Sequence, residues 1–128
     1  DYHEALAQID EALTLSPSEE QRATALGVAV SCRNRLDEPE AALQLLREAL
    51  QIQKRRGDLY QLAVNFHDLG MLYERMGQLR EAQRAYQQAE GYWTTIGNVG
   101  ARALSRNSGA VVLHMLGQYE EAYAQLVA

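Results

Sequence analysis

At 128 residues, 47% of them hydrophobic, the chain has the length of one ordinary domain and is short for two. Its 12 basic and 17 acidic residues leave a formal charge of -5, which argues against a nucleic-acid surface, because phosphate binding needs a clustered basic field. No apolar run approaches the roughly 18 residues a membrane span needs, no signal-peptide pattern opens the chain, and the single Cys32 excludes an internal disulfide and fits a reducing, cytoplasmic compartment.

The chain opens at Asp1, without an initiator methionine, and both ends fall inside helical pattern, so it reads as a piece of a larger protein. Long stretches rich in Ala, Leu, Glu, Gln and Arg, broken by only two prolines, predict an all-α chain. The first helix covers about 2–15. Ser16-Pro17-Ser18-Glu19 then offers an N-cap serine, a proline at the first helical position and a glutamate three residues after the cap, opening a helix over about 18–36. Asp37-Glu38-Pro39-Glu40 offers a second cap and a helix over 38–56, whose end, Lys54-Arg55-Arg56, suits the negative end of a helix dipole. Gly57-Asp58, Gly77-Gln78, Gly97-Asn98 and Gly117-Gln118 mark the remaining joints, with helices over 58–76, 78–95, 99–116 and from 118 onward, about seven in all. Glycine can take the left-handed geometry that ends a helix, and Asp58 can cap the next one. Connections this short predict antiparallel hairpins.

The joints keep time. Asp37, Gly77 and Gly117 are forty residues apart, as are Gly57 and Gly97, and as are Ala42, Ala82 and Ala122. Two helices cannot bury an apolar face alone, but stacked copies build a continuous core, so the period predicts a solenoid: a half unit over 1–17, units over about 18–57 and 58–97, and a truncated unit from 98. Gly70 and Ala110 are equivalent small residues on the first helix of a unit, and Ala42, Ala82 and Ala122 on the second, where helix axes are expected to approach closely. Tyr73, Tyr86, Tyr119 and Tyr123 occupy expected packing positions, Trp93 is expected to pack, and Glu120-Glu121 are expected at the start of a helix.

Phe66, Leu69, Gly70, Tyr73, Gly77, Ala82, Tyr86 and Ala89 resemble the tetratricopeptide pattern of aromatic, Leu-Gly, Tyr, then Ala, aromatic and Ala. Gly109, Ala110, Leu113, Gly117, Ala122 and Leu126 follow it more loosely, as do Leu26, Ala29, Val30, Ala42, Leu46 and Ala49. The forty-residue unit is longer than the usual one and is similar to the repeats of large bacterial regulators of the maltose-activator type and of related signalling ATPases; kinesin light chains carry similar long units. The resemblance implies a right-handed superhelical solenoid of antiparallel helix pairs and a non-catalytic scaffold in transcription regulation or signal transduction. It also implies a groove lined by first helices: Ser31, Asn34 and Arg35; Val64, His67, Asp68, Met71, Glu74 and Arg75; Leu104, Asn107, Ser108, Val111 and His114. A protein or peptide segment is its expected partner, with a small effector as the alternative. The family's clamp for a terminal carboxylate uses lysines on these helices, whereas the only lysine here, Lys54, lies on a second helix.

Two other functions compete. A structural spacer or self-association module would form homo-oligomers through exposed end helices. An all-helical enzyme would need a pocket gathering His67, Asp68 and His114, yet no catalytic triad, phosphate loop or metal-ligand spacing is present, and no cofactor is implied.

Overall fold

The computed structural model describes Asp1–Leu15 and Ser18–Val127, and among these residues all regular structure is helical. The helices are α1 (Tyr2–Thr14), α2 (Glu19–Arg35), α3 (Pro39–Arg56), α4 (Leu59–Arg75), α5 (Leu79–Ile96) and α6 (Val99–Val127). Two compact units result, one from Asp1 to Gln61 and one from Leu62 onward.

Local chemistry accounts for the helix ends. In the first unit, Ser18 caps α2 by accepting from the Gln21 backbone N–H at 3.2 Å, while the Gln21 side chain accepts from the Ser18 N–H at 3.0 Å, a complete capping box. The expected cap, Ser16, and its proline, Pro17, lie outside the described residues. Asp37 also departs from expectation. It takes φ 58°, the left-handed conformation, and closes α2 with its N–H on the Asn34 carbonyl, so it ends a helix instead of capping one. Glu38 is the N-cap of α3 and makes no side-chain cap bond. Gly57 ends α3 at φ 67°, and Asp58 accepts from the Gln61 N–H at 3.1 Å, as its sequence position predicts. Basic Lys54, Arg55 and Arg56 occupy the last turn of α3, where they oppose the dipole; Arg55 also reaches Glu19 at 2.8 Å.

The core of this unit is small side chains interleaved with leucines. Ala23 and Leu26 of α2 pack with Ala49 and Ile52 of α3, and Leu6 of α1 packs with Ala29 and Cys32. Cys32 is buried and free, a small apolar filler.

In the second unit, α4 and α5 form an antiparallel hairpin through Gly77, which takes φ 77° and lets the Gln78 N–H reach the Tyr73 carbonyl at 2.9 Å. Ala82, Ala85, Tyr86, Ala89 and Trp93 are the buried face of α5. Ala82 is fully enclosed, in keeping with its expected role at a close helix approach. Phe66 stacks on Tyr92 with ring centroids 5.7 Å apart. Gly97 ends α5 at φ 86°, and Asn98 opens α6 by accepting from the Ala101 N–H at 3.0 Å.

The expected joint at Gly117-Gln118 is absent. α6 runs through it without a break, giving six helices where about seven were expected. With no returning helix, Ala122, Tyr119 and Tyr123 are exposed, unlike Ala42, Ala82, Tyr73 and Tyr86. Glu120 and Glu121 accordingly stand in mid-helix, and Glu120 pairs with Arg80 of α5. No described helix is long and apolar enough to cross a membrane.

Candidate functional site

The second unit gathers a polar cluster on α4 where α5 and α6 meet it. His67, Asp68, Met71, Glu74 and Arg75 recur at three- and four-residue spacing, so one face of α4 carries them all. Inward from that face, His67 Nδ1 lies 2.9 Å from Oγ of Ser105, a fully buried residue of α6. A hydroxyl can donate or accept, so this bond is available to either neutral imidazole tautomer. The His67 ring also meets the Tyr86 ring edge to face, with centroids 5.1 Å apart. Tyr86 O–H donates to Oε1 of Glu74 at 3.0 Å. Two side-chain bonds thus tie α4 to its neighbours, one to α5 and one to α6.

Close approach makes this possible. A Cβ added at Gly70 would lie 2.6 to 2.9 Å from atoms of the Tyr86 ring, so the ring packs directly against bare backbone. On its other side, a Cβ at Gly109 would come within 3.3 Å of Tyr86 Cβ. Tyr86 is therefore wedged between two glycines on two different helices, and its hydroxyl direction is set by packing.

Burial sets the charge states. It pushes the Asp68 carboxyl up to about 6 and holds His67 below the usual imidazole value, so His67 is neutral at pH 7. Tyr86 is raised as well, first by burial, then by its hydrogen bond to Glu74 and by the negative charges of Glu74 and Asp68. Asp68 is the unusual member: burial disfavours its charged form, with no second cause beside it.

Of the other residues expected to line a groove, Met71, Arg75, Leu104, Asn107, Val111 and His114 are exposed, and Val64 and Ser108 are half-buried. Within the first unit, Ser31 and Arg35 of α2 are exposed and Asn34 is half-buried. His114 stands in the outer part of α6, beside Gly117 and Glu121 along a shallow depression, apart from the His67–Ser105 bond. Among the described residues no three His, Cys, Asp or Glu side chains are gathered as a metal would need.

The model of the tetratricopeptide repeat family matches residues 21–92, more than half of the chain, running from α2 into α5 with the three turns between them. The chain belongs to the tetratricopeptide repeat family. Its members are protein-interaction scaffolds, and that general role extends to this chain. No curated protein matches it. The match includes Gly70, Gly77 and Tyr86, the residues on which the α4–α5 joint depends.

Sequence reasoning passed over Ser105, because its neighbours Leu104, Asn107 and Ser108 share the register of the α4 face. A signal was present: Ser105, Gly109 and Val112 follow each other at four and three residues, so a small polar side chain falls on the buried stripe. Tyr86 was expected as packing alone, and its hydroxyl bond to Glu74 depends on α4 and α5 meeting in space.

Proposed function

We propose that the second unit binds an extended peptide segment of a partner protein along α4 and the embedded part of α6. The observation that carries this reading is Asp68. A half-buried carboxyl on this face of α4, its charged form disfavoured by desolvation, gains from a donor that arrives with a ligand. Glu74 lies two turns along the same face and adds negative charge, while exposed Met71, Leu104 and Val111 supply adaptable apolar contact. The favoured segment therefore presents a cationic side chain or exposed backbone N–H groups near Asp68 and an apolar residue near Met71. Arg75, Asn107, Ser108 and His114 provide directional polar contacts at the margins. Ser31, Asn34 and Arg35 occupy the corresponding register of α2 and enter by sequence equivalence alone. The forty-residue period supports placing this scaffold in a cytoplasmic bacterial regulator or signalling protein of the maltose-activator type, stacked as a superhelical solenoid of units near 18–57, 58–97 and 98 onward.

Selection of a random displayed-peptide library against the chain at pH 7 tests the reading. Enriched peptides should carry Lys or Arg and lose about tenfold in affinity, roughly 1.4 kcal/mol, with either Asp68→Asn or Met71→Glu. Peptides that bind both variants as well as the parent would place the contact elsewhere.

A further inference from the structure

α4 and α6 run in the same direction, because each lies antiparallel to α5. Phe66 stacks on Tyr92 and Glu74 accepts from Tyr86 along one pair, while Arg106 faces Glu90 and Arg80 faces Glu120 along the other. Two contacts fix the relative height of α4 and α6. His67 bonds Ser105, and the Tyr86 side chain is held between Gly70 and Gly109. Both pairs stand within two residues of the forty-residue spacing, so Asp68 and Ser108, which are forty apart, lie within about 3 Å of the same height at the helical rise.

Each helix offers the same four positions at that height. On α4 they are Val64, His67, Asp68 and Met71; on α6 they are Leu104, Asn107, Ser108 and Val111. Residues at i, i+3, i+4 and i+7 of a helix frame a hole into which a side chain from outside can insert. The two holes differ in chemistry. The α4 hole holds the carboxyl of Asp68, whose charged form burial disfavours, with Glu74 beyond it on the same helix. The α6 hole carries no charge: Leu104 and Val111, 61% and 57% exposed, stand at its ends, and half-buried Ser108 leaves its middle open. A cation entering the first gains a partner in Asp68. The same cation over the second would lose water and gain no counter-charge, whereas an apolar side chain there would be covered by Leu104 and Val111.

We propose that these holes read two side chains of one ligand, a lysine or arginine over Asp68 and an apolar residue over Ser108, set three residues apart in a segment of polyproline II conformation. The inference rests on the peptide reading above and adds a conformation and a spacing to it. Axes of packed helices lie roughly 8 to 10 Å apart. A β-strand that crosses this gap turns its third side chain to the opposite face, and its second residue falls short at about 7 Å. Polyproline II has three residues per turn and a rise of about 3.1 Å, so side chains i and i+3 point the same way about 9 Å apart. The Asn107 amide, donor on one side and acceptor on the other, gives the crossing backbone a direction, so the pair has one order.

Displayed-peptide selection against the full chain reads the spacing, and exchange of the two hole residues reads the assignment. Enriched peptides should carry Lys or Arg and an apolar residue three apart in one order, and moving the apolar residue by one position either way should weaken binding about tenfold. In the Asp68→Ser, Ser108→Asp double variant, its helical content checked by circular dichroism, the order should reverse while the spacing stays. Leu104→Ala, at an exposed position, should remove the preference for the apolar residue and keep that for the cation. Cationic peptides that depend on Asp68 but show no fixed spacing, or an order that the exchange leaves unaltered, would overturn this inference and leave the groove reading standing. Enrichment of peptides indifferent to Asp68 would overturn both.

Discussion

Gly77-Gln78 and Gly117-Gln118 are the same dipeptide forty residues apart, each followed within four residues by Glu-Ala, yet one turns the chain and the other lies within a continuous helix. The difference lies in what the returning segment would find. After Gly77, α5 brings Ala82 into a fully enclosed position, lays the Tyr86 ring on the bare backbone of Gly70 and closes the hairpin with a hydrogen bond to Glu74. The equivalents around Gly117 are Ala110 for Gly70, His114 for Glu74 and, after the glycine, Leu126 for Tyr86. A methyl occupies the place of the ring, and Leu126 has no hydroxyl to donate the closing hydrogen bond. Glycine permits the left-handed conformation, and packing on the far side of the turn decides whether it is used.

That contrast is open to direct attack. Gly70→Ala should have the largest effect, a loss of about 1 to 3 kcal/mol from overpacking against Tyr86, read as a lower urea midpoint of Trp93 fluorescence. Trp93 is the sole tryptophan and is buried in the second unit, so the signal belongs to the hairpin in question. An unchanged midpoint would mean that the ring can leave Gly70 without loss.

Asp68→Asn comes next and carries a sign that depends on pH. Burial raises the folded-state value to about 6 from an unfolded value near 3.8, so the folded state binds the proton more tightly and stability falls as pH rises between those values. The penalty is complete above about 6, and replacing the carboxylate should then stabilise the unit by on the order of 2 kcal/mol, while at pH 4 the variant and the parent should nearly coincide. His67 has the opposite sign, since its depressed value favours the folded state as pH rises toward neutrality. Equal differences between variant and parent at pH 4 and pH 7.5 would show that Asp68 is solvated in the folded chain.

Smaller effects separate the two glycines. Gly77→Ala should cost about 1 to 2 kcal/mol because alanine is strained in the left-handed region, and Gly77→Asn should cost less, as the left-handed Asp37 at the equivalent turn suggests. Gly117→Ala should instead stabilise by roughly 0.5 to 1 kcal/mol, the gain of alanine over glycine within a helix. Destabilisation by both alanine substitutions, in matched urea titrations, would mean that position 117 also uses the left-handed form.

Most of the helices were legible because their signals are local. Asp58, Gly57, Gly77, Gly97 and the basic end of α3 act within one turn of their own position, and the forty-residue period repeats them often enough to be read. The shared polar face of α4 was legible too, since i, i+3, i+4 spacing fixes which residues lie together. Ser105 and the role of the Tyr86 hydroxyl were not. Each depends on a partner 38 or 12 residues away, and no local pattern states that the two will touch.

The sequence by itself determined that the chain is helical, where five of its helices begin and end, and that its units belong to the tetratricopeptide family, because capping, glycine geometry and apolar spacing act over a few residues. Tertiary structure alone decided the charge state of Asp68, the bond between His67 and Ser105, and the course of α6. Desolvation depends on what covers a group, and a turn that costs helical hydrogen bonds forms only where the returning segment can pack.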